Sequence, residues 1–272
     1  MQMKYPKISI VTVSYNQCEF IEDNIKSVIE QNYPNVEHII IDAGSTDGTL
    51  YILKKYDKYL NWISEPDKGQ SDGLNKGFKK ATGEIIGWIN SDDKLTPNSL
   101  NTVGEYFRKN EDEIAVVGNL NLIDVKSNLI RTLIGSPYVY KDMLNNRRGV
   151  TQGSTFFKKT IFEKIGYLDE SLHFAMDFDL FLRISSIKTV PFINTTLAEL
   201  RIQPNAKTTN GLAKFKKDHI KIALKHNASI LSKGLLSDYY VILTQPLRNI
   251  NWIRNGIRRL KGLKPYNHEI FN

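Results

Sequence analysis

Hydrophobic and polar positions alternate in blocks through the first half of this chain. Ile8-Ser9-Ile10-Val11-Thr12-Val13 is β-branched and apolar almost throughout, which predicts a buried strand. From 19 to 31 the positions Phe20, Ile21, Ile25, Val28 and Ile29 share one stripe of a helix, and Pro34 helps to end it. The same reading predicts strands at 38–41, 62–64, 84–89 and 115–120, with helices at 48–59, 71–81 and 97–108 between them. Strand and helix alternating at this spacing imply right-handed crossovers and a Rossmann-like α/β fold, a mostly parallel sheet flanked by helices. Beyond residue 125 the rhythm changes. Residues 126–150, rich in Asn, Arg and Gly, read as an irregular loop over a site; a strand at 155–157 and helices at 161–166 and 176–186 follow.

The 272 residues suffice for one large domain, or a domain with an appendage, and a proper core. Cys18 is the single cysteine, so no intramolecular disulfide forms and a reducing compartment fits. Neither a signal peptide nor an apolar run near transmembrane length stands out, and a cytoplasmic location is expected. Charge splits the chain. Residues 1–202 hold 24 Lys/Arg against 26 Asp/Glu, and residues 203–272 hold 13 against 3, a net of +10 on the second part. An anionic surface is the partner such a tail suggests.

The candidate chemistry lies where the strands end, because ligands of open α/β sheets sit outside their carboxyl ends. The fourth strand runs into Asn90-Ser91-Asp92-Asp93. Two adjacent carboxylates there can hold a hard divalent cation that keeps positions for substrate phosphates, or merely cap the next helix. The second strand ends in Asp42-Ala43-Gly44-Ser45-Thr46-Asp47-Gly48-Thr49. Asp42 is placed to accept from a nucleobase or ribose hydroxyl, or to fix the turn; Asp47 reads as a turn residue. Lys68 is placed to balance a diphosphate, and Asp72 and Asn75 share a face near a helix start that Ser71 can cap. Neither a phosphate loop of the Gly-x-x-x-x-Gly-Lys type nor a Gly-x-Gly-x-x-Gly fingerprint occurs, which argues against a P-loop ATPase and a nicotinamide enzyme. The five histidines show no zinc-like spacing with Cys18.

Thr12-Val13-Ser14-Tyr15-Asn16, the Asp42–Thr49 segment, Gly69-Gln70-Ser71-Asp72-Gly73-Leu74-Asn75-Lys76-Gly77 and Asn90-Ser91-Asp92-Asp93 come in an order that resembles the nucleotide-binding half of a family 2 glycosyltransferase of the GT-A fold. Gln152–Phe157, Gly166–Glu170 and Met176–Arg183 resemble its acceptor half, so the likeness spans about residues 6 to 203. The resemblance implies a catalytic domain over 1–203, with its halves meeting near residue 120, and a helical basic extension over 204–272. It implies that Asp42 binds the base of a sugar nucleotide, UDP-sugar above others, with Thr12, Ser14 and Asn16 lining the base and ribose pocket. Asp93 would then ligate Mn²⁺ or Mg²⁺ bridging the diphosphate, Asp92 would contact ribose or metal-bound water, and Lys68, Asp72 and Asn75 would complete the donor site. Asp177 would be the general base of an inverting transfer to a saccharide or lipid-linked saccharide, as in surface polysaccharide synthesis. Met176 stands where the family usually has Glu, and Asp179 is the fallback base.

From 247 to 264 Leu247, Ile250, Ile253, Ile257 and Leu260 recur at helical spacing among six Lys/Arg, with Trp252 on one flank. Such a basic amphipathic helix reads as a peripheral contact with the inner membrane face, or as a helix packed on the domain. Two other functions fit parts of the pattern. A sugar-nucleotide nucleotidyltransferase shares the α/β plan but lacks its Gly-rich loop here. A nucleic-acid binder would use the basic tail, but no recognisable nucleic-acid module or stacking-aromatic pattern accompanies it, so nucleic acid is not an expected partner.

Overall fold

The computed structural model describes residues 5–146, 149–203 and 212–248. The chain divides into two compact units, Met1–Met143 with Arg148–Ile202, and Leu144–Arg147 with Gln203–Asn272.

In the first unit β1 (Ile8–Ser14), β2 (Val36–Asp42), β3 (Asn61–Ser64) and β4 (Ile85–Trp88) pair in parallel, in the order β3-β2-β1-β4. The connecting helices are α1 (Ile21–Ile29), α2 (Thr49–Lys55) and α3 (Gln70–Lys80). α2 is shorter than its periodicity predicts, and a single 3₁₀ turn at Asp57–Tyr59 follows it. The rest of the unit holds β5 (Lys94–Leu95), α4 (Ser99–Lys109), β6 (Ala115–Ile123), β7 (Leu129–Leu133), α5 (Tyr140–Asn146), β8 (Thr155–Lys158), α6 (Ile161–Ile165), α7 (Met176–Ile187) and β9 (Phe192–Arg201). α5 runs from the first unit into the second.

The full order is β3-β2-β1-β4-β8-β6-β9-β5, with β7 also on β6. β8 runs antiparallel to β4 and β6, β9 is parallel to β6, and β5 and β7 are antiparallel to their partners. The unbroken parallel run is therefore confined to the first four strands, β6 and β9 form a separate parallel pair, and the sheet is mixed. Crossover helices impose parallel pairing on those four; β6 instead turns straight into β7 through a tight loop, which dictates antiparallel pairing. Asp124 closes that loop by accepting the N–H groups of Lys126 and Asn128 at 2.8 Å each. Residues 126–150 are thus not the irregular loop expected. β7 shows no alternation to reveal it, because Leu129, Ile130, Arg131 and Thr132 are all exposed.

Ile8, Ile85, Val116, Phe156 and Leu197 pack with Leu100, Val103 and Phe107 of α4, and Ile40, on the same face of the sheet by register, packs with Ile21 and Ile25 of α1 and Leu53 of α2. Val11, Val13 and Ile41 point to the opposite face, against α3. α3 lies so close to β1 that a Cβ at Gly77 would clash with Val11. That approach sets the first turn of α3 beside the carboxyl ends of β1 and β2.

The second unit contains α8 (Leu212–Lys225) and α9 (Lys233–Arg248), which pack together. Ile222, Ala223, Ala228 and Leu235 are buried, and Asp238, also buried, pairs with Lys216 at 2.9 Å. The amphipathic segment expected at 247–264 lies outside the described residues from 249 on.

Candidate active site

Register aligns the ends of the parallel strands. Ser14 lies beside Asp42, and Asp42 beside Ser64. Asp42 is fully buried: its Oδ2 accepts from the backbone N–H of Gly44 (3.0 Å) and Ser45 (2.8 Å) and from Ser64 Oγ (2.7 Å), and its Oδ1 accepts from Ser45 Oγ (2.5 Å). The carboxylate thus fixes its own turn. Asn16, in a left-handed conformation (φ 52°), accepts Thr46 N–H on its side-chain oxygen and donates its own N–H to Ser45 Oγ, tying the first strand-end loop to the second. Asp47 accepts from Cys18 N, Thr49 N and Thr49 Oγ1; burial opposes ionisation, but these bonds outweigh it and hold the carboxyl below the usual range. Thr12 is fully buried, with Oγ1 3.0 Å from His38 Nε2, so it lies inside the sheet and lines no open pocket. Burial lowers the His38 imidazole to about 3, which keeps it neutral. The Ser14 hydroxyl is buried without a hydrogen-bond partner among the described residues.

At the end of β4, Asn24 of α1 donates to the carbonyl oxygens of Asn90 and Asp93, 2.9 Å each, and pins the turn between them. Asp93 is 3 % exposed; its Oδ1 accepts Arg201 N (3.0 Å) and its Oδ2 accepts Asn90 Nδ2 (2.9 Å). Burial, reinforced by the neighbouring Asp92 charge, pushes the Asp93 carboxyl well above the usual carboxylate range. Asp92 is half-buried, so of the two it has the easier access to solvent. Arg201, 2 % exposed at the end of β9, was not singled out by the sequence. Its Nε donates to Asp92 O, its Nη1 to the carbonyls of Asp124 and Val125 and to Ser127 Oγ, and its Nη2 pairs with Asp23 at 3.1 Å. The sequence signal is a charge closing the long strand pattern Ala198-Glu199-Leu200-Arg201. Gln152, also missed, donates to Trp88 O and lies 3.4 Å from Asn90 Nδ2, while Gln70 at the start of α3 donates to Asn90 Oδ1 at 3.3 Å.

The later part of the first unit meets the same place through α3. Ser71 Oγ donates to Leu172 O and lies 3.1 Å from Met176 Sδ, which docks the first turn of α7 against the first turn of α3. Met176 therefore packs where the resemblance leads one to expect a second acid. Asp177 is half-buried at this helix start, and its Oδ1 accepts Phe178 N at 2.8 Å. Asp179 is fully buried and paired with Arg183 at 2.8 Å; Arg183 also binds the carbonyls of Ile165, Gly166 and Tyr167. That weighs against the fallback reading: Asp179 is closed off from solvent and anchors a loop through Arg183. The geometry weighs likewise against Asn75 as a donor contact. Its amide donates to Leu168 O and Glu170 Oε1 and accepts Leu168 N, so its capacity goes to clamping the two halves, away from Asp72. Asp72 accepts Lys68 N (3.0 Å) and lies 3.4 Å from Lys76, which leaves the exposed Lys68 side chain on the loop before α3.

The donor set at Asn90, Asp92 and Asp93 is all oxygen, which fits Mn²⁺ or Mg²⁺. A carboxylate raised by burial and then by its neighbour's charge belongs to a pair that a divalent cation would relieve. Among the described residues no group of three or more His, Cys, Asp or Glu gathers, and a Mg²⁺-type ion that takes its remaining ligands from phosphates and water suits a two-carboxylate site.

The profile of the family described as Glycosyl transferase family 2 matches residues 9–188. The chain belongs to that family. An uncharacterised glycosyltransferase of Rickettsia typhi is 30 % identical over 213 residues, which cover 75 % of this chain and 66 % of the relative. Chondroitin synthase of Escherichia coli is 27 % identical over 256 residues, 92 % of this chain and 36 % of that protein. The chain thus spans from about two thirds to about one third of the length of the curated relatives it matches. Among solved structures, S. aureus TarS 1–349 in complex with UDP-GlcNAc superposes with a TM-score of 0.65 at 17 % identity, covering 94 % of this chain and 76 % of that one. The mannosyltransferase PcManGT of Pyrobaculum calidifontis, in complex with GDP-Man and Mn²⁺, gives 0.61 at 19 % identity, covering 88 % and 70 %. The fold of the family 2 chain described here is accordingly GT-A.

Proposed function

We propose that this family 2 chain transfers a sugar from a nucleoside diphosphate sugar to a hydroxyl of a saccharide or lipid-linked saccharide, with inversion and with a divalent cation. The observation that carries the reading is the half-buried Asp92 beside Asp93, raised by burial and by the Asp92 charge, at the end of β4, with Asp177 at the helix start that the Ser71–Met176 contact docks on α3. Asp92 and Asp93 would hold Mn²⁺ or Mg²⁺, Asp92 outermost, because both Asp93 oxygens already accept N–H bonds. When bound, the cation supplies Lewis-acid stabilisation of the departing diphosphate.

The rest is work for the chain itself. The Asp177 carboxylate takes the proton of the acceptor hydroxyl. The acceptor oxygen bonds to the anomeric carbon as the bond from that carbon to the phosphate oxygen breaks, and the nucleoside diphosphate leaves with the electron pair. One displacement inverts the anomeric centre and asks for no carboxylate nucleophile on the opposite face. The burial of Asp179 supports a single base. Asp42, Asn16 and Ser45 hold the two strand-end loops, and the unpartnered Ser14 hydroxyl between them supports a donor contact there. Lys68 lies on the loop before α3, consistent with a place near the diphosphate.

Uridine is the first candidate base, in keeping with the UDP-GlcNAc of the TarS complex; the GDP-Man of PcManGT keeps guanosine as the second. Synthesis of a surface polysaccharide at the inner membrane face fits the basic second unit. Incubation with labelled donors and saccharide acceptors tests the reading. Release of nucleoside diphosphate with an inverted product linkage is expected. Release of pyrophosphate would instead identify a nucleotidyltransferase.

A further inference from the structure

α9 is amphipathic the wrong way round for a helix with only one packed face. Leu235 and Asp238 are buried, yet Leu236, Tyr239, Tyr240 and Leu243 are exposed. At 100° per residue these four fall within an arc of about 100°, a stripe about 10 Å long. Ile230 and Leu231, in the turn before the helix, extend the apolar surface at its start; Leu231 is 79 % and Leu243 75 % exposed. A contiguous exposed patch of this kind marks a contact surface.

We propose that this outward face of α9 is the surface by which the chain docks on an anionic lipid bilayer, which rests on the membrane-side reading above. Charge decides between occupants. Residues 203–272 carry 13 Lys/Arg and three acids, Asp218, Asp238 and Glu269, and Asp238 is buried against Lys216. Lys217, Lys221, Lys225 and Lys233 are exposed on the same helix pair. A second copy would bring a second strongly basic unit against the first, whereas anionic lipid turns the same charge into attraction, about 1 kcal/mol per basic residue near the surface. The composition fits as well: leucines reach below the headgroups, tyrosines stay at their level, and lysines reach the phosphates. No helix among the described residues is long and apolar enough to cross a membrane.

The test is flotation of the full chain with phosphatidylcholine vesicles, with and without phosphatidylglycerol. The intact chain should bind the phosphatidylglycerol vesicles, and the double variant Leu236→Glu/Leu243→Glu should lose binding roughly tenfold or more. Its melting temperature and its hydrolysis of donor sugar nucleotide should stay unchanged, because both side chains are exposed and the proposed donor residues all belong to the first unit. Tyr51→Glu, an equally exposed position in the first unit, should bind as the parent does. Binding that survives Leu236→Glu/Leu243→Glu but is lost in Arg254→Gln/Arg258→Gln/Arg259→Gln would overturn the α9 face and leave membrane association to the tail. A parent chain that binds neither vesicle would sink both. A shift from dimer to monomer in Leu236→Glu/Leu243→Glu, with vesicle binding intact, would assign the face to a second copy and overturn the proposal.

Discussion

Two acidic pairs, Asp92–Asp93 and Asp177–Asp179, are built to one plan and compensated differently. In each, one carboxylate is buried and the other half-buried, and an arginine ties neighbouring carbonyls together. Asp179 meets its arginine directly, Oδ2 to Arg183 Nε at 2.8 Å. Asp93 does not: it accepts the main-chain N–H of Arg201, whose guanidinium is turned to Asp92 O, the 124–127 turn and Asp23. A buried charge with its counter-ion in place is architecture, whereas one left beside a second carboxylate is a place where a cation lowers the energy. The difference separates an anchor from a site more sharply than the sequence motif does.

The largest effect should come from the half-buried member at α7. Asp177→Asn should lower transfer about 10²–10⁴-fold while donor binding, read by calorimetry, stays as it was. A parallel loss of donor binding would move Asp177 out of the base role. Next, Asp179→Ala should cost about 3–5 kcal/mol in denaturant unfolding by leaving Arg183 without its anion. Asp179→Leu combined with Arg183→Met should recover most of that, and a failure to recover would mean that the carbonyl contacts of Arg183 matter more than the pair.

Much of this comparison was legible before the fold. The strands of the first half, and the placing of Asp42 and Asp92–Asp93 at their carboxyl ends, follow from periodicity, since crossovers force those ends to one edge. The roles were less legible. Asp42 and Asn75 carry the residue types of ligand contacts, but their partners, Ser64 and Leu168, are 22 and 93 residues away, and only folding brings them close. Arg201 is 108 residues from Asp93 and has no motif of its own. β7 and β9 escaped because an exposed edge strand and a strand whose half-buried, exposed and buried positions come in runs carry no clean alternation.

A smaller effect follows from Arg201 acting through the turn. Arg201→Lys keeps the charge but loses the planar fork, and should weaken cation-dependent binding of nucleoside diphosphate about 10–100-fold, as the loss of an outer-shell partner does. Unchanged affinity would restrict Arg201 to stability. The last effect is absent at neutral pH and appears only in acid: it concerns His38, which burial lowers to about 3 from 6.5 for the free side chain. The unfolded chain takes up its proton first as pH falls, so the full contribution is present above pH 6.5 and is lost at about 1.4 kcal/mol per pH unit from there towards 3. The stability difference between parent and His38→Gln should shift against the parent across that window, and parallel pH profiles would contradict it.

The most direct test of the central claim is calorimetric titration of UDP, GDP, dTDP and CDP, with and without Mn²⁺, into the parent chain and Asp92→Asn. One nucleoside diphosphate should bind tightly only with Mn²⁺, and Asp92→Asn should abolish that dependence without lowering the melting temperature. Binding of none of the four, or binding indifferent to both Mn²⁺ and Asp92, would contradict the account.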